Sequence, residues 1–448
     1  MKDKSAVILV FTIIGVVAGV VGGLLFGGHH LDDVTRASWT SDEHFKFWLT
    51  LVKFPGELFV RGLKLLVLPL VVASMICGVA SLGNLRDMGR MGRRTMIYFI
   101  TTTVFAALLG VALVTTIQPG AGVDPEAVRG TIGSASSESA IIKTVTTEQS
   151  KPVIDRILDV IRELVPSNLV EAALELKMLG LIAFSLIFGI ALTMVGERGK
   201  PVLAFFDGVN EAVMKMVYLL MYCLPIAVAS LIAANIAGSN NLLDQLVALS
   251  KYVLTVLAGL GIHLLLVLPA IYWIFLRRNP FQYLIGGAQA LLTALSTSSS
   301  AATLPVTMEC CVVNNGISRR TSSFVLPLGA TINMDGTALY EAVAVIFLAQ
   351  MLGHSLSGAD IAIISLISIM ASIGAAAIPS AGMVTMVMVL DAVGMDPMAG
   401  ITYILAIDWF LDRFRTAVNV AGDTIGAAIV DDLEKRDASR KTAAPATA

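Results

Sequence analysis

The sequence predicts an all-α membrane protein with eight transmembrane helices, two re-entrant helical hairpins and inverted repeats, and three observations carry that prediction. Hydrophobic residues make up 56% of the 448 residues and charged ones only 14%, with a mean hydropathy of +0.81, far outside the make-up of a soluble domain. Apolar runs of spanning length recur along the whole chain. Two further apolar stretches are broken by small or hydroxyl residues before either half is long enough to cross. A net charge of −2 with short basic clusters offers no surface for nucleic acid. Cys77, Cys223, Cys310 and Cys311 lie in or beside apolar segments without metal spacing, so neither a disulfide framework nor zinc is expected.

The first element follows Lys2 and Lys4: about 22 apolar residues, longer than the core of a signal peptide. Gly15, Gly19, Gly23 and Gly27 repeat there at four-residue spacing, which either admits a neighbouring helix or leaves glycines facing lipid. Further spans are predicted at 48–82, 95–117, 170–196, 203–236, 244–276, 322–352 and 396–430. Several exceed the ~20 residues needed to cross, so tilt or kinks are expected. Between the sixth and seventh spans, FQYLIGGAQALLTAL runs into the hydroxyl-rich STSSSAATLP at 296–305. Between the seventh and eighth, IAIISLISIM runs into ASIGAAAIPSAG at 371–382. Irregular backbone at that depth must be buried in protein or line a wet cavity, because lipid cannot satisfy its amides. A hairpin followed by a polar helix occurs twice, the arrangement of a transporter whose site lies near the bilayer midplane. Basic clusters at 86–94, 198–200, 277–278, 319–320 and 435–436 place both termini in the cytoplasm and the segments 29–44 and 119–152 outside.

The eighth span contains DWFLDRFRTAVNVAGD, 408–423. At 100° per residue, Asp408, Asp412, Arg415, Asn419 and Asp423 fall within an arc of about 80° and form a ladder roughly 22 Å long. Counting Arg413, five charges facing lipid would oppose insertion by more than about 12 kcal/mol. They must face protein, ions or water. An Asp412–Arg415 pair locking helices together is one reading, but three carboxylates against two guanidiniums leave a surplus that a cation fills. The seventh span holds GATINMDGT at 329–337, which should unwind and turn carbonyls inward. Those carbonyls, with Asn333, Asp335, Asn419 and Asp423, are hard oxygen ligands and make sodium the expected cation. Thr101, Thr102 and Thr103 of the third span are candidates for the same shell, although helical threonines alone usually bond their own preceding turn.

In order along the chain, STSSSAATLP, NMDGTALYEA, SIGAAAIPSAG and DWFLDRFRTAVNVAGD, with LFVRGLKLLVLPLVVASMICGVASLG at 58–83, resemble the glutamate transporter family, the excitatory amino-acid transporters and their prokaryotic relatives. The resemblance spans nearly the whole chain. It implies a homotrimer in the cell membrane, each subunit with a scaffold domain (1–91 and 118–243) and a transport domain (92–117 and 244–434) that moves like an elevator; residues 435–448 read as a disordered tail. For substrate it implies Ser299, Ser300, Thr337, Ile378, Gly382, Asp412, Arg415, Thr416 and Asn419, with Arg415 on a side-chain carboxylate and Asp412 on the amino group. For sodium it implies three sets: the Gly329 carbonyl with Asn333, Asn419 and Asp423; Asp335 with Thr102 and Thr103; and Thr331 with carbonyls around Ser372 and Ile373.

A guanidinium recognises a carboxylate with two parallel hydrogen bonds, and in the family carriers of neutral amino acids have an uncharged residue at the Arg415 position. Glutamate or aspartate is therefore the expected substrate. Glu341 and Arg413 match the animal-type members, with Ser298 where archaeal relatives have arginine. That match implies proton cotransport and potassium counter-transport, with Glu341 carrying the proton. Ala301 and Ala377 depart from the family's serine and glycine, which bears on gating at the second hairpin. His29, His30, His44, His263 and His354 have no metal spacing, and the serine run has no catalytic partner pattern, so no enzyme activity is expected. Other classes compatible with the residues are a sodium-coupled carrier of neutral amino acids or C4 dicarboxylates, and an ion channel.

Overall fold

A computed structural model describes residues 2–28, 39–40, 43–80, 85–123, 158, 162, 165–174, 178–238, 242–375, 381–392, 395 and 397–443. No strand occurs among them. The helices are α1 (Lys2–Phe26), α2 (Glu43–Ala80), α3 (Leu85–Ile117), α4 (Leu169–Leu174), α5 (Met178–Val195), α6 (Lys200–Met221), α7 (Leu224–Gly238), α8 (Leu242–Ile262), α9 (Leu268–Leu276), α10 (Pro280–Gly286), α11 (Ala288–Thr297), α12 (Ser300–Glu309), α13 (Arg319–Ile332), α14 (Asp335–Met351), α15 (Gly358–Gly374), α16 (Ala381–Ala392) and α17 (Pro397–Ala443). Among the described residues, five stretches are long and apolar enough to cross a membrane: Glu43–Gly78, Arg90–Ile117, Gly180–Met221, Leu242–Leu276 and Arg319–Met351. The chain is an all-α membrane protein.

The glycine repeat of α1 meets a helix, not lipid. α1 lies along α7, and a Cβ added at Gly19 would sit 2.7 Å from the Ala229 carbonyl, one at Gly23 2.8 Å from the Ala233 carbonyl, and one at Gly27 2.9 Å from the Ala237 carbonyl. Gly15 meets the Pro225 carbonyl in the same way. Without side chains on that stripe the two backbones come into direct contact, which is how helices gain dispersion energy in lipid. Gly22, on another face, has open space where a Cβ would go. Gly19→Val should lower the melting temperature of the detergent-solubilised protein by several degrees through overpacking, and Gly22→Ala should not.

α2 also packs on α7, with Pro55 and Pro69 inside it. One residue past Pro55, the Ser230 hydroxyl of α7 accepts from the Gly56 amide at 3.0 Å and donates to the Val52 carbonyl at 2.5 Å, taking the place of an i→i−4 bond in α2. α5 and α6 pack on α2 as well, so α1, α2, α5, α6 and α7 lie mainly against one another. α3, α13, α14, α15, α16 and α17 form the other set of contacts, with α8 and α9 against α14 and α17.

Three boundaries differ from the sequence expectation. The run 203–236 is two helices, because Pro225 cannot donate to the turn before it, and Tyr222 and Cys223 close α6 with i→i−3 bonds to Leu219 and Leu220. The predicted end of the fourth span instead continues through Gly196, at φ 71°, and a 3₁₀ turn into α6. The polar tail, read as disordered from 435, is helical as far as Ala443. Lys435–Asp431 and Arg436–Asp432 pairs at i,i+4 support it, both at 2.6 Å. Arg90 and Arg94 at the start of α3 also pair with it through Asp437, and Arg94 reaches Glu434 at 2.8 Å. Those guanidiniums hold the Asp437 carboxyl below the usual carboxylate range.

Helix is interrupted where the composition says it should be. α11 ends at Ser298, left-handed at φ 51°, and Ser299 opens α12 in an extended conformation. α11 and α12 pack on each other across this turn. α15 begins with a capping box between Ser357 and Asp360. Residues 376–380, which follow α15, lie outside the described residues, Ile378 among them. Between α13 and α14, Asn333 and Met334 leave the helix, so the unwinding expected over 329–337 is confined to two residues. A π turn at His263–Val267 joins α8 to α9, and a second at Cys310–Asn314 follows α12.

Candidate functional site

The polar ladder of α17 is buried along its whole length: Asp408, Asp412, Arg415, Asn419 and Asp423 are each under 5% exposed. It faces the α13–α14 break, and two clusters of polar groups result.

The first cluster is made of oxygen-rich side chains around the break. Thr102 donates to Asn333 Oδ1 at 3.2 Å, Asn333 Nδ2 donates to Asp423 Oδ1 at 3.1 Å, and Thr103 donates to Asp335 Oδ1 at 2.9 Å. The Gly336 amide donates to Asn419 Oδ1 at 2.8 Å, and Asn419 Nδ2 reaches Thr337 Oγ1 at 3.4 Å. Breaking the helix at Asn333 is what lets α3, α14 and α17 converge there. Gly329 is required by this approach, because a Cβ at that position would strike Asp423 Oδ1. Gly422 stands against Asn333 Nδ2 for the same reason, with a Cβ there only 2.9 Å away. Two carboxylates, amide oxygens and hydroxyls suit a hard alkali cation, with the Met334 thioether of the break 3.9 Å from Thr337 Oγ1.

Arg415 centres the second cluster. Its Nη1 donates to Asp408 Oδ1 at 3.2 Å, its Nη2 donates to Asp412, and its guanidinium lies 4.1 Å from the ring centre of Tyr340. At 1% exposure it is the largest fully buried side chain among the described residues. Gly382, at the start of α16, abuts this guanidinium so closely that a Cβ there would collide with it. One guanidinium between two carboxylates keeps the charge in place without lipid contact, at the cost of desolvating all three groups. Thr416, although buried beside Arg415, donates to the Asp412 carbonyl of its own helix at 2.8 Å.

Glu341, one turn beyond Thr337 on α14, is fully buried and accepts a hydrogen bond from Thr385 of α16. Arg413 donates to the carbonyls of Leu295 and Ser296 at 2.9 and 3.1 Å, placing a cation at the C-terminal end of α11, where the helix dipole favours it. Ser299 accepts from the Ala302 amide at 3.2 Å and so caps α12, and Ser299 and Ser300 are buried at that turn.

The third expected sodium set is less convergent in its side chains. Thr331 donates to Leu328 O and Ser372 to Ile369 O, each within its own helix, and Ile373 packs against the apolar core. Five groups were not singled out by sequence reasoning. Tyr340 supports the guanidinium. His263, read as a bland histidine, lies with Nε2 3.1 Å from Asp335 Oδ2. Tyr98 and Tyr283 donate to the carbonyls of Gly422 and Thr424 on either side of Asp423, at 3.0 and 2.6 Å. Thr385 meets Glu341. None sits at a spacing that marks it in the sequence.

The profile of the sodium:dicarboxylate symporter family matches residues 8–433. Excitatory amino acid transporter 3 of Mus musculus is 40% identical over 478 residues, covering 96% of this chain and 86% of that protein. Excitatory amino acid transporter 2 of Rattus norvegicus is 40% identical over 494 residues, covering 98% and 81%. The human excitatory amino acid transporter 2 is 39% identical over 492 residues, covering 97% and 80%. A match of this length and identity, over helices that bury a guanidinium and an oxygen cage on one face, makes the chain a member of the sodium:dicarboxylate symporter family.

Proposed function

We propose that the protein is a sodium-coupled symporter of glutamate and aspartate that works by an elevator-type alternating-access mechanism. The observation that carries this reading is the buried Arg415 guanidinium, one helical turn along α17 from Asn419 and the oxygen cage around Asn333, Asp335 and Asp423. A side-chain carboxylate of the substrate engages the guanidinium with two parallel hydrogen bonds, and Asp412 accepts from the substrate ammonium. Asn419 accepts from the Gly336 amide and reaches Thr337 one turn along α17 from Arg415, so cation binding orders the backbone beside the substrate. Sodium is cargo as much as driver: its charge offsets the carboxylates that Arg415 leaves uncompensated. Thr331, with carbonyls around Ser372 and Ile373, supplies a third cation position.

The eight spans, the two re-entrant hairpins at 281–313 and 359–394, and the division into scaffold (1–91, 118–243) and transport (92–117, 244–434) domains belong to the same reading. It is supported by the mutual packing of α1, α2, α5, α6 and α7, separate from the contacts of α3 with α14 and of α17 with α11 and α13. Ser299, Ser300, Ile378 and Gly382 close the substrate site from the hairpins. Three copies assemble in the cell membrane with cytoplasmic termini. Glu341 carries a proton inward with the substrate, and the empty transport domain returns with potassium, Arg413 acting with it.

Reconstituted protein should accumulate labelled aspartate only when sodium is high outside, and glutamate should compete while serine and succinate do not. Competition by serine would favour the neutral amino-acid carrier, competition by succinate the C4 dicarboxylate carrier, and flux without saturation the channel.

A further inference from the structure

Two phenols grip the backbone of α17 on either side of Asp423. Tyr98 of α3 donates to the Gly422 carbonyl at 3.0 Å, and Tyr283 of α10 donates to the Thr424 carbonyl at 2.6 Å. Both tyrosines are buried. In a regular helix each of those carbonyls already accepts from the amide four residues on, so the phenols use the second lone pair and the helix stays intact. Residues 422 and 424 are about 200° apart around the axis, so the two bonds hold one turn from nearly opposite sides, with Asp423 between them.

Each phenol is itself fixed. The Tyr98 ring lies on the backbone at Gly426, where a Cβ would stand 2.6 Å from Cε1. Four residues along α3, on the same face, Thr102 reaches Asn333, and Thr103 beside it reaches Asp335. Tyr283 lies 4.8 Å from the ring of Tyr272, and its backbone carbonyl accepts from Asn315 Nδ2 at 3.2 Å. Its hydroxyl also meets the Cys311 thiol. A thiol is the weaker partner, and a phenol oxygen accepts from it while donating to Thr424. We propose that Tyr98 and Tyr283 are positioning residues for sodium: their hydroxyls fix the turn of α17 that carries Asp423, so that its carboxylate already stands at the cage when the ion arrives.

Asp423 meets the cage at close range. Its Oδ1 accepts from Asn333 Nδ2 at 3.1 Å, and it fits against Gly329 only because that residue has no Cβ. An ion shared by oxygens of α3, α17 and the α13–α14 break binds well only when all of them stand in place together. A turn free to shift must be ordered on binding, which weakens affinity, and fixing it beforehand strengthens affinity without adding a ligand. The gripped carbonyls lie about two turns beyond Arg415, so the effect falls on the cation and not on the carboxylate clamp.

This inference rests on the oxygen cage being a sodium site, so Asp423→Asn is measured beside the tyrosine variants. The melting temperature of the detergent-solubilised full chain is titrated with sodium chloride, with choline chloride holding the ionic strength. Uptake of labelled aspartate by the reconstituted chain is titrated in the same way. Tyr98→Phe and Tyr283→Phe keep the ring and lose the hydroxyl alone. In each, the sodium midpoint of both titrations should rise about three- to fivefold, while the aspartate KM and the maximal rate at saturating sodium stay at wild-type values. Tyr272→Phe changes a buried ring beside Tyr283 whose hydroxyl makes no bond to α17 among the described residues, and should keep the wild-type midpoint. Wild-type midpoints in both tyrosine variants, beside an Asp423→Asn variant displaced by about tenfold or more, overturn the positioning role and leave the cage standing. A Tyr272→Phe midpoint displaced as far as the others also overturns it, since ring packing alone then accounts for the shift. The two variants are made separately, so if one fails to fold the other decides. An Asp423→Asn variant with wild-type midpoints removes the cage, and the role of the tyrosines with it.

Discussion

Arg415→Cys reduces uptake of glutamate and aspartate at low substrate by at least about 100-fold. The guanidinium is the one cation in its cluster, and a thiol offers a carboxylate neither charge nor a second hydrogen bond. Lysine is no substitute, because its point charge cannot make the parallel pair of bonds and its ammonium cannot lie flat over Tyr340. Part of the loss is structural: Asp408 and Asp412 would stay buried without the guanidinium charge, at a cost of about 3–5 kcal/mol. Specificity separates the two effects. Folded Arg415→Cys protein, isolated as a monodisperse species, should take up serine or alanine in preference to aspartate. Retention of aspartate over serine in that variant would mean that Arg415 does not read the side-chain carboxylate.

Glu341→Gln abolishes net uptake and preserves exchange of internal for external aspartate. An amide is nearly isosteric with the protonated acid and can keep one hydrogen bond to Thr385, so the loaded protein forms and crosses as before. It cannot lose a proton, so under the proposed potassium-coupled return the empty transporter has no carboxylate to use. Proteoliposomes loaded with potassium or with an inert cation distinguish the outcomes. The wild type should be several-fold faster with internal potassium, and the variant indifferent to it. Unchanged potassium stimulation in the variant would take Glu341 out of the coupling.

Much of this was legible in the residues, for reasons that can be named. Charges in an apolar run stand out against the energy of inserting them, and helical periodicity then puts Asp408, Asp412, Arg415, Asn419 and Asp423 on one face, where all five are buried. The Gly-Ala-Thr-Ile-Asn-Met-Asp-Gly-Thr run announced a break in the helix, although only Asn333 and Met334 leave it. The glycine repeat of α1 was legible as a pattern but not as an outcome, because a smooth stripe serves a partner helix or lipid equally well until the partner's backbone is in view. Tyr340, Tyr98, His263 and Thr385 were not legible as partners. Each reaches across a large separation in sequence, Thr385 to Glu341 over 44 residues and His263 to Asp335 over 72, and an isolated hydroxyl or ring in an apolar helix carries no local sign of what it meets. The continuation of α17 past residue 435 was hidden in part for the same reason, since arginines of α3 add to the i,i+4 pairs within it.

The π turn at His263–Val267 adds one surplus residue to an otherwise regular helix. Each residue of α-helix advances the surface by about 100°, so everything after the surplus is rotated by roughly that angle relative to an uninterrupted rod. α8 packs on both α14 and α17, His263 of the turn meets Asp335, and α9 beyond it packs on α17. The irregularity therefore works as a phase adjuster between the successive contacts that this rod makes with α17.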